Sequence, residues 1–369
     1  MRKIMKKLCL YIPTPTLIII LLGIIAAVVN VAYCLSAEFA DSLNFGISSY
    51  LRMAMAKLTA WIPFSFAEFI VFTSPITLFL IIRFCIKRSE ASRIAFIRCI
   101  AGILSAPIVA YIGFVFIFGV GYKTTSLDKH LSIERHDVSA EELYETMNIV
   151  VEKLNELEPE IIFLDGKGSI RPYTHKESVK LCLDSYKKLA DTYDFIPIIS
   201  APVKQLASSS LMTYTHISGM YTFFTGEANL NTNYPYFVNV YTTAHEMAHQ
   251  RGIAREDEAN FIAYLVCTNS DDPFMQYSGY LNMYQYLSTP LYKASKELYS
   301  DAISGLSQNV KNDLICFSNF FDKYRDNTAA TVSDKVNDTY LTLQGTAGAK
   351  SYGMVVDLAV AYHLKNTPK

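Results

Sequence analysis

Apolar side chains follow two regimes along this chain. In the first third they run in nearly unbroken stretches; beyond about residue 121 they recur at helical spacing among polar residues. Three stretches, at about 17–35, 61–82 and 99–121, reach the roughly 20 residues that a bilayer crossing needs. Asn30 interrupts the first, Glu68 lies inside the second, and the third has no charged residue. One such stretch would fit a buried core helix, but three within the first third predict membrane spans. Glu68 reads equally as a functional group or as a side chain reaching the interface. After a charged connector at 122–137, Ser139 and Glu142 form a capping-box pattern ahead of an amphipathic helix ending near Leu157. A second helix is predicted at 176–193, after a turn-rich segment at about 165–172. Residues 195–235 carry little helical period; within them 219–224 reads as a strand and 226–233 as the loop after it. From there the pattern is helical, at about 237–250, 254–268, 274–287, 290–304, 307–325, 331–343 and 353–364. There is no internal repeat.

Charge adds a direction. The 369 residues carry a net charge of −1, but residues 1–121 hold eleven basic side chains against four acidic ones. The remaining 22 basic and 30 acidic residues make 122–369 acidic. A basic nucleic-acid binder and a disordered chain are thereby excluded, and no nucleic-acid partner is expected. Arg2, Lys3, Lys6 and Lys7 precede the first span, and Arg83, Lys87, Arg88, Arg93 and Arg98 lie between the second and third. The positive-inside rule then puts the N-terminus and that second loop in the cytoplasm. The expectation is a multi-pass protein of the cell membrane: an anchor at 1–121, with the bilayer as partner, and an extracytoplasmic domain at 122–369. Tyr33 is too bulky for the small residue of a lipoprotein cleavage box at 31–34, so the first span reads as an uncleaved anchor. Of the seven cysteines, Cys9, Cys34, Cys85 and Cys99 lie in or beside the spans, and Cys182, Cys267 and Cys316 in the outer domain. They suggest no disulfide framework.

The chemistry resides in His245-Glu246-Met247-Ala248-His249. On a helix, positions i and i+4 share one face, so both imidazoles can reach one Zn²⁺ while Glu246 points toward a bound water. Asn233 is a candidate N-cap with Pro235 in the first turn; Tyr236, Phe237, Val240, Ala244 and Ala248 supply packing positions, and Gly252 a stop. The spacing from His249 to Gly252 resembles that of the metzincins, but Arg255 stands where their third histidine would be, and arginine cannot bind zinc. Glu256 and Glu258 are the alternatives for a third ligand. On a helix starting near Ala254 they point about 200° apart, so only one can face the metal. Glu256 is preferred, with Asn260 one turn on as a hydrogen-bonding partner to the ligand set; Glu258 stays open.

The run Glu256 to Asn260 resembles the E-x-x-A-D/N string on the third-ligand helix of gluzincin-type metallopeptidases, including the membrane-bound CAAX-processing type and the soluble repressor-cleaving type. More closely, Gly226-Glu227-Ala228-Asn229, His245 to Gly252, Glu256 to Phe261, and the late Ser351-Tyr352-Gly353 resemble a bacterial membrane family known only as domain of unknown function 3810. The resemblance implies N-terminal spans and a zinc-peptidase-type domain, with no substrate attached.

The combined expectation is a mainly α protein: three N-terminal transmembrane helices, then a mostly helical zincin-like domain with a small β-sheet. Its expected function is a zinc-dependent metallopeptidase acting on a peptide or protein, with His245, His249 and Glu256 as ligands and Glu246 as general base. A further donor for the carbonyl oxygen is sought among Tyr352, His216 and His363, each also readable as structural. The 219–224 strand could accept an extended peptide. Glu227 reads as a turn cap or as a group for a substrate amine. Two other classes stay open: a membrane zinc domain that senses an external ligand with little catalysis, and a zinc hydrolase of small amides. The sequence leaves the oligomeric state unknown.

Overall fold

The computed structural model describes residues 10–164 and 168–366. The four basic residues before the first span, Cys9, and the start of the segment at 165–172 lie outside the described residues. Mainly helical architecture with small sheets is observed.

Helices α1 (Thr14–Leu35), α2 (Ala37–Phe45), α3 (Ile47–Ala60), α4 (Phe66–Ala91), α5 (Arg93–Leu104) and α6 (Ala106–Ile117) form the first third. Among the described residues, three rods are long and apolar enough to cross a membrane: α1, α4, and α5 with α6 taken together. Few of their side chains are buried within the protein; Leu21, Leu78 and Phe79 are all exposed. Exposed apolar surface of that extent is the pattern of candidate membrane-spanning helices. The second rod starts later than expected because Ser65 caps it, its Oγ accepting from the N–H of Glu68, and it runs on to Ala91. The third takes in Arg93 and Arg98 and ends at Ile117. Residues 119–122 turn away as a 3₁₀ segment. A Cβ on Gly121 would lie 2.4 Å from the Gly252 carbonyl oxygen, so glycine is what permits this close approach. Cys85 and Cys99 are joined across the α4–α5 hairpin, contrary to the expectation of no disulfide; the hairpin brings their Cα atoms to 6.0 Å.

Beyond the apolar rods lie α7 (Ala140–Leu157), the hairpin β1 (Ile162–Leu164) and β2 (Gly168–Ile170), α8 (His175–Thr192), and strands β3 (Val203–Gln205), β4 (Gly219–Thr222) and β5 (Glu227–Leu230). Then come α9 (Tyr236–Gln250), α10 (Glu256–Thr268), α11 (Pro273–Ala294), α12 (Lys296–Ser304), α13 (Gln308–Asp322), α14 (Thr328–Leu343) and α15 (Val355–Asn366). The capping box of Ser139 and Glu142 is present, and Thr174 with Glu177 forms another at α8. Pro290 does not divide α11, although it removes one backbone donor. Leu287 and Leu291 on either side are wholly buried, and the break falls at Ser295. The core joins the buried faces of α7, α9, α10, α11 and α15, including Met147, Phe237, Phe261, Leu281 and Leu358.

The second sheet has the order β3-β5-β4, with β3 parallel and β4 antiparallel to β5. Residues 227–230, expected as loop, are its central strand. The sheet grips the first third by opposite charges on opposite helix ends. Lys204 of β3 donates to the carbonyls of Thr59 (3.2 Å) and Ile62 at the end of α3. Glu227 of β5 accepts from the N–H groups of Phe66 and Ala67 at 3.2 and 2.9 Å, at the start of α4. Each charge has the sign the helix dipole favours.

Candidate metal centre

Helix α9 presents two faces. Phe237, Val240, Ala244, Met247 and Ala248 repeat at three- and four-residue spacing and are fully buried. Tyr236, expected among them, is exposed. Pro235 occupies the N-cap position, while the amide of the expected cap, Asn233, reaches Thr213 Oγ1 and Tyr324 Oη. The adjoining face carries His245, Glu246 and His249, with the imidazole centroids 4.6 Å apart. After α9 the chain reverses through Gly252 at φ +93°, a conformation for which glycine has no Cβ penalty. That turn sets α10 against α9 with Glu256 as its first residue.

Glu256 Oε2 lies 3.3 Å from His245 Nε2 and 3.5 Å from His249 Nε2. One ligand atom from each of the three residues lies within 4.8 Å of the others, a group that could hold a metal ion. The donor set fits zinc. Ligand atoms about 2.0–2.1 Å from one tetrahedral ion stand roughly 3.3 Å apart. His249 Nδ1 is 2.7 Å from the Ile253 carbonyl oxygen. A carbonyl only accepts, so Nδ1 carries the proton and Nε2 is left as the ligand. Asn260 lies beside His245 and favours its charged form, although burial and His249 together lower its pKa. Burial also opposes charge on Glu256 and His249, but their mutual attraction wins. Glu256 is held far below the ordinary carboxylate range, and His249 is raised to about 9.

Glu246 is in a different state. Burial pushes it up to about 8, against the pull of His249. Its Oε2 is a buried acceptor without a hydrogen-bond partner, a condition native proteins rarely leave unused. The N–H of Tyr221 on β4 also bonds to Glu246. A Cβ on Gly219 would fall 2.6 Å from Glu246 Oε1, so glycine allows β4 to pass this close. The outer edge of β4 faces a cavity of about 830 Å³ that includes all four residues of the site.

Residues 44–360 match the family model described as protein of unknown function DUF3810. The chain belongs to that family. The match takes in the second and third apolar rods and the His245, His249 and Glu256 group. No curated protein and no solved structure matches the chain.

The remaining candidates in this DUF3810 chain separate clearly. Glu258 turns away from the imidazoles: its Oε1 accepts from the Leu127 N–H and from Arg255, both at 2.8 Å. Arg255, at the position where a metzincin would have histidine, also donates to the Thr124 and Thr125 carbonyls. Glu227 is spent on the start of α4, and Glu68 accepts from the N–H groups of Ala207 and Ser208. Tyr352 lines the cavity and accepts from Asn337 Nδ2 at 3.2 Å. His216 lines it too, with Nε2 held 2.6 Å from the Tyr324 carbonyl. His363 lies elsewhere, 2.8 Å from Tyr264 Oη. Sequence reasoning missed Phe118, whose ring meets His249 edge-on at 5.8 Å, and Tyr286, which feels the charge of Glu256. Neither carries a local motif. It also missed Ile253, whose contribution is a backbone carbonyl.

Proposed function

We propose that this DUF3810 chain is a membrane-anchored, zinc-dependent metallopeptidase. The observation that carries the proposal is the convergence of His245, His249 and Glu256 beside a buried, unpartnered Glu246 carboxylate oxygen. Bound there, Zn²⁺ would supply a Lewis acid and a water of lowered pKa.

The chain's own groups account for the rest. Glu246 is buried beside the ligand set with one carboxylate oxygen unpartnered, the placement a general base for a metal-bound water needs. It is suited to accept a proton from the attacking water and deliver it to the leaving amine. The Ile253 carbonyl keeps His249 in one tautomer. The edge of β4 runs past Glu246 and offers backbone groups to an extended peptide, which favours a polypeptide over a small amide. Tyr352, held by Asn337 on the cavity wall, is the candidate donor to the carbonyl oxygen. The apolar rods anchor the chain, and the positive-inside rule puts the site on the outer face of the membrane.

The test is peptide hydrolysis by the full-length protein in lipid, supplied with one zinc per chain. The proposal predicts cleavage that a chelator abolishes and zinc restores. Stoichiometric zinc binding without hydrolysis of any peptide in a broad library would overturn it.

A further inference from the structure

The metal centre stands one side chain beyond the end of an apolar rod. Helix α6 ends at Ile117, and the ring of the next residue, Phe118, packs against His249 at 5.8 Å and Tyr221 at 5.5 Å. Phe114 lines the same cavity from inside the rod. At 1.5 Å per residue it lies roughly 5 Å before the rod's end. The turn between β4 and β5 rests on the same rod: Phe223 meets Phe114 at 5.6 Å, and a Cβ on Gly113 would touch Phe223 at 3.6 Å.

The rim of the cavity is apolar as well. Met220, Phe224 and Val336 all line it, and they are 41%, 46% and 65% exposed. At the end of a bilayer-spanning rod, such side chains sit in the interfacial layer, where their exposure carries little penalty. Strand β4 connects the two environments. It starts beside Glu246 at Gly219 and ends at the turn carrying Phe223 and Phe224. A polypeptide laid along its edge therefore has one end at the metal centre and the other at the membrane surface. At about 3.4 Å per residue, five residues span that distance.

Building on the peptidase reading, we propose that the substrate is a polypeptide tethered in the same bilayer and cut within about five residues of its membrane anchor. A soluble peptide would have to reach a cleft whose mouth lies in the interface. A tethered one arrives there already oriented, and its apolar side chains next to the anchor match the rim of Met220, Phe224 and Val336.

The test uses the full-length, zinc-loaded protein in phosphatidylcholine–phosphatidylglycerol liposomes. The probe is one fluorogenic peptide core, chosen from those the protein cuts in solution. It is joined at either end to a hydrophobic helix through spacers of about three, six, twelve and twenty residues. All tethered forms share one surface concentration, so dependence on spacer length reports geometry and not enrichment. The expected result is a cleavage rate at least about tenfold higher with the short spacers than with the longest. Phe224→Asp should reduce that ratio. A rate that is flat or rises with spacer length would overturn the tethered-substrate proposal while leaving peptidase activity intact. Failure to cut the tethered forms of a core that is cut in solution would likewise overturn the tethered-substrate proposal, whereas a peptide library left uncut both free and tethered, with zinc bound, would overturn the peptidase reading.

Discussion

The guanidinium of Arg52 donates to the carbonyl oxygen of Arg251 across 3.2 Å, tying the segment between the first two apolar rods to the end of the metal-site helix. Arg52 is fully buried, and burial lowers its pKa to about 10. It also donates to the carbonyls of Asn44 and Ile117 at 2.7 and 3.0 Å. Three helices, α2, α6 and α9, thus end on one cation, and their dipoles are all negative there. Asn44 completes the junction by donating to the Gly252 carbonyl at 3.1 Å.

Replacing Arg52 with methionine should leave these carbonyls buried without donors, at about 1–3 kcal/mol each. A fall in thermal stability of the detergent-solubilised protein is expected. Zinc retention should weaken too, because the turn that Arg52 braces positions the Ile253 carbonyl against His249. An unchanged melting temperature would show that the junction is not needed.

Glu256→Gln and Glu258→Gln should separate by readout. The first removes the carboxylate beside both imidazoles and should lose zinc, measured as metal per chain. The second should keep zinc and lose stability, since Glu258 holds the Leu127 N–H and Arg255.

Glu227→Gln tests whether that carboxylate meets substrate or only caps α4. It accepts from two backbone N–H groups while 2% exposed, so a loss of about 1 kcal/mol or more in stability is expected. The KM for a peptide with a free amino terminus should not change. A selective rise in KM would assign Glu227 to substrate.

Burial lowers the pKa of His363 to about 4, from 6.5 in an unfolded chain. The folded state binds its proton less readily than the unfolded state does. Its stabilising contribution is therefore complete above pH 6.5 and is lost as pH falls toward 4, where the loss reaches about 3 kcal/mol. Melting temperatures between pH 7 and 4 should show a steeper decline for the native chain than for His363→Phe. Parallel curves would contradict the assignment.

Helix α9 is legible in the sequence because an apolar stripe and the histidine pair obey the same period. The rods are legible from length and hydropathy alone. Helical rotation says only that Glu256 and Glu258 cannot both face the imidazoles, and the two side chains do face opposite ways, Glu256 toward them and Glu258 toward Leu127 and Arg255. Strand β5 is hidden because its buried residues include Glu227, which caps α4, and Asn229, which donates to the Met220 carbonyl; polar residues in a buried strand look like a loop. Helix α3 is hidden by the reverse pattern. Ser48, Ser49 and Arg52 are buried there while Ile47, Tyr50 and Leu58 are exposed, so the ordinary hydrophobic signal is inverted. The contact of Phe118 with His249 joins residues 131 positions apart, beyond the reach of any local period.

The central claim is that Glu246 transfers protons for a metal held by His245, His249 and Glu256. It is tested most directly by the peptide cleavage rate of Glu246→Gln in lipid, with zinc content measured on the same sample. The account predicts full zinc occupancy with a rate reduced about 10²- to 10⁴-fold. Cleavage at the native rate by the zinc-loaded variant would contradict it.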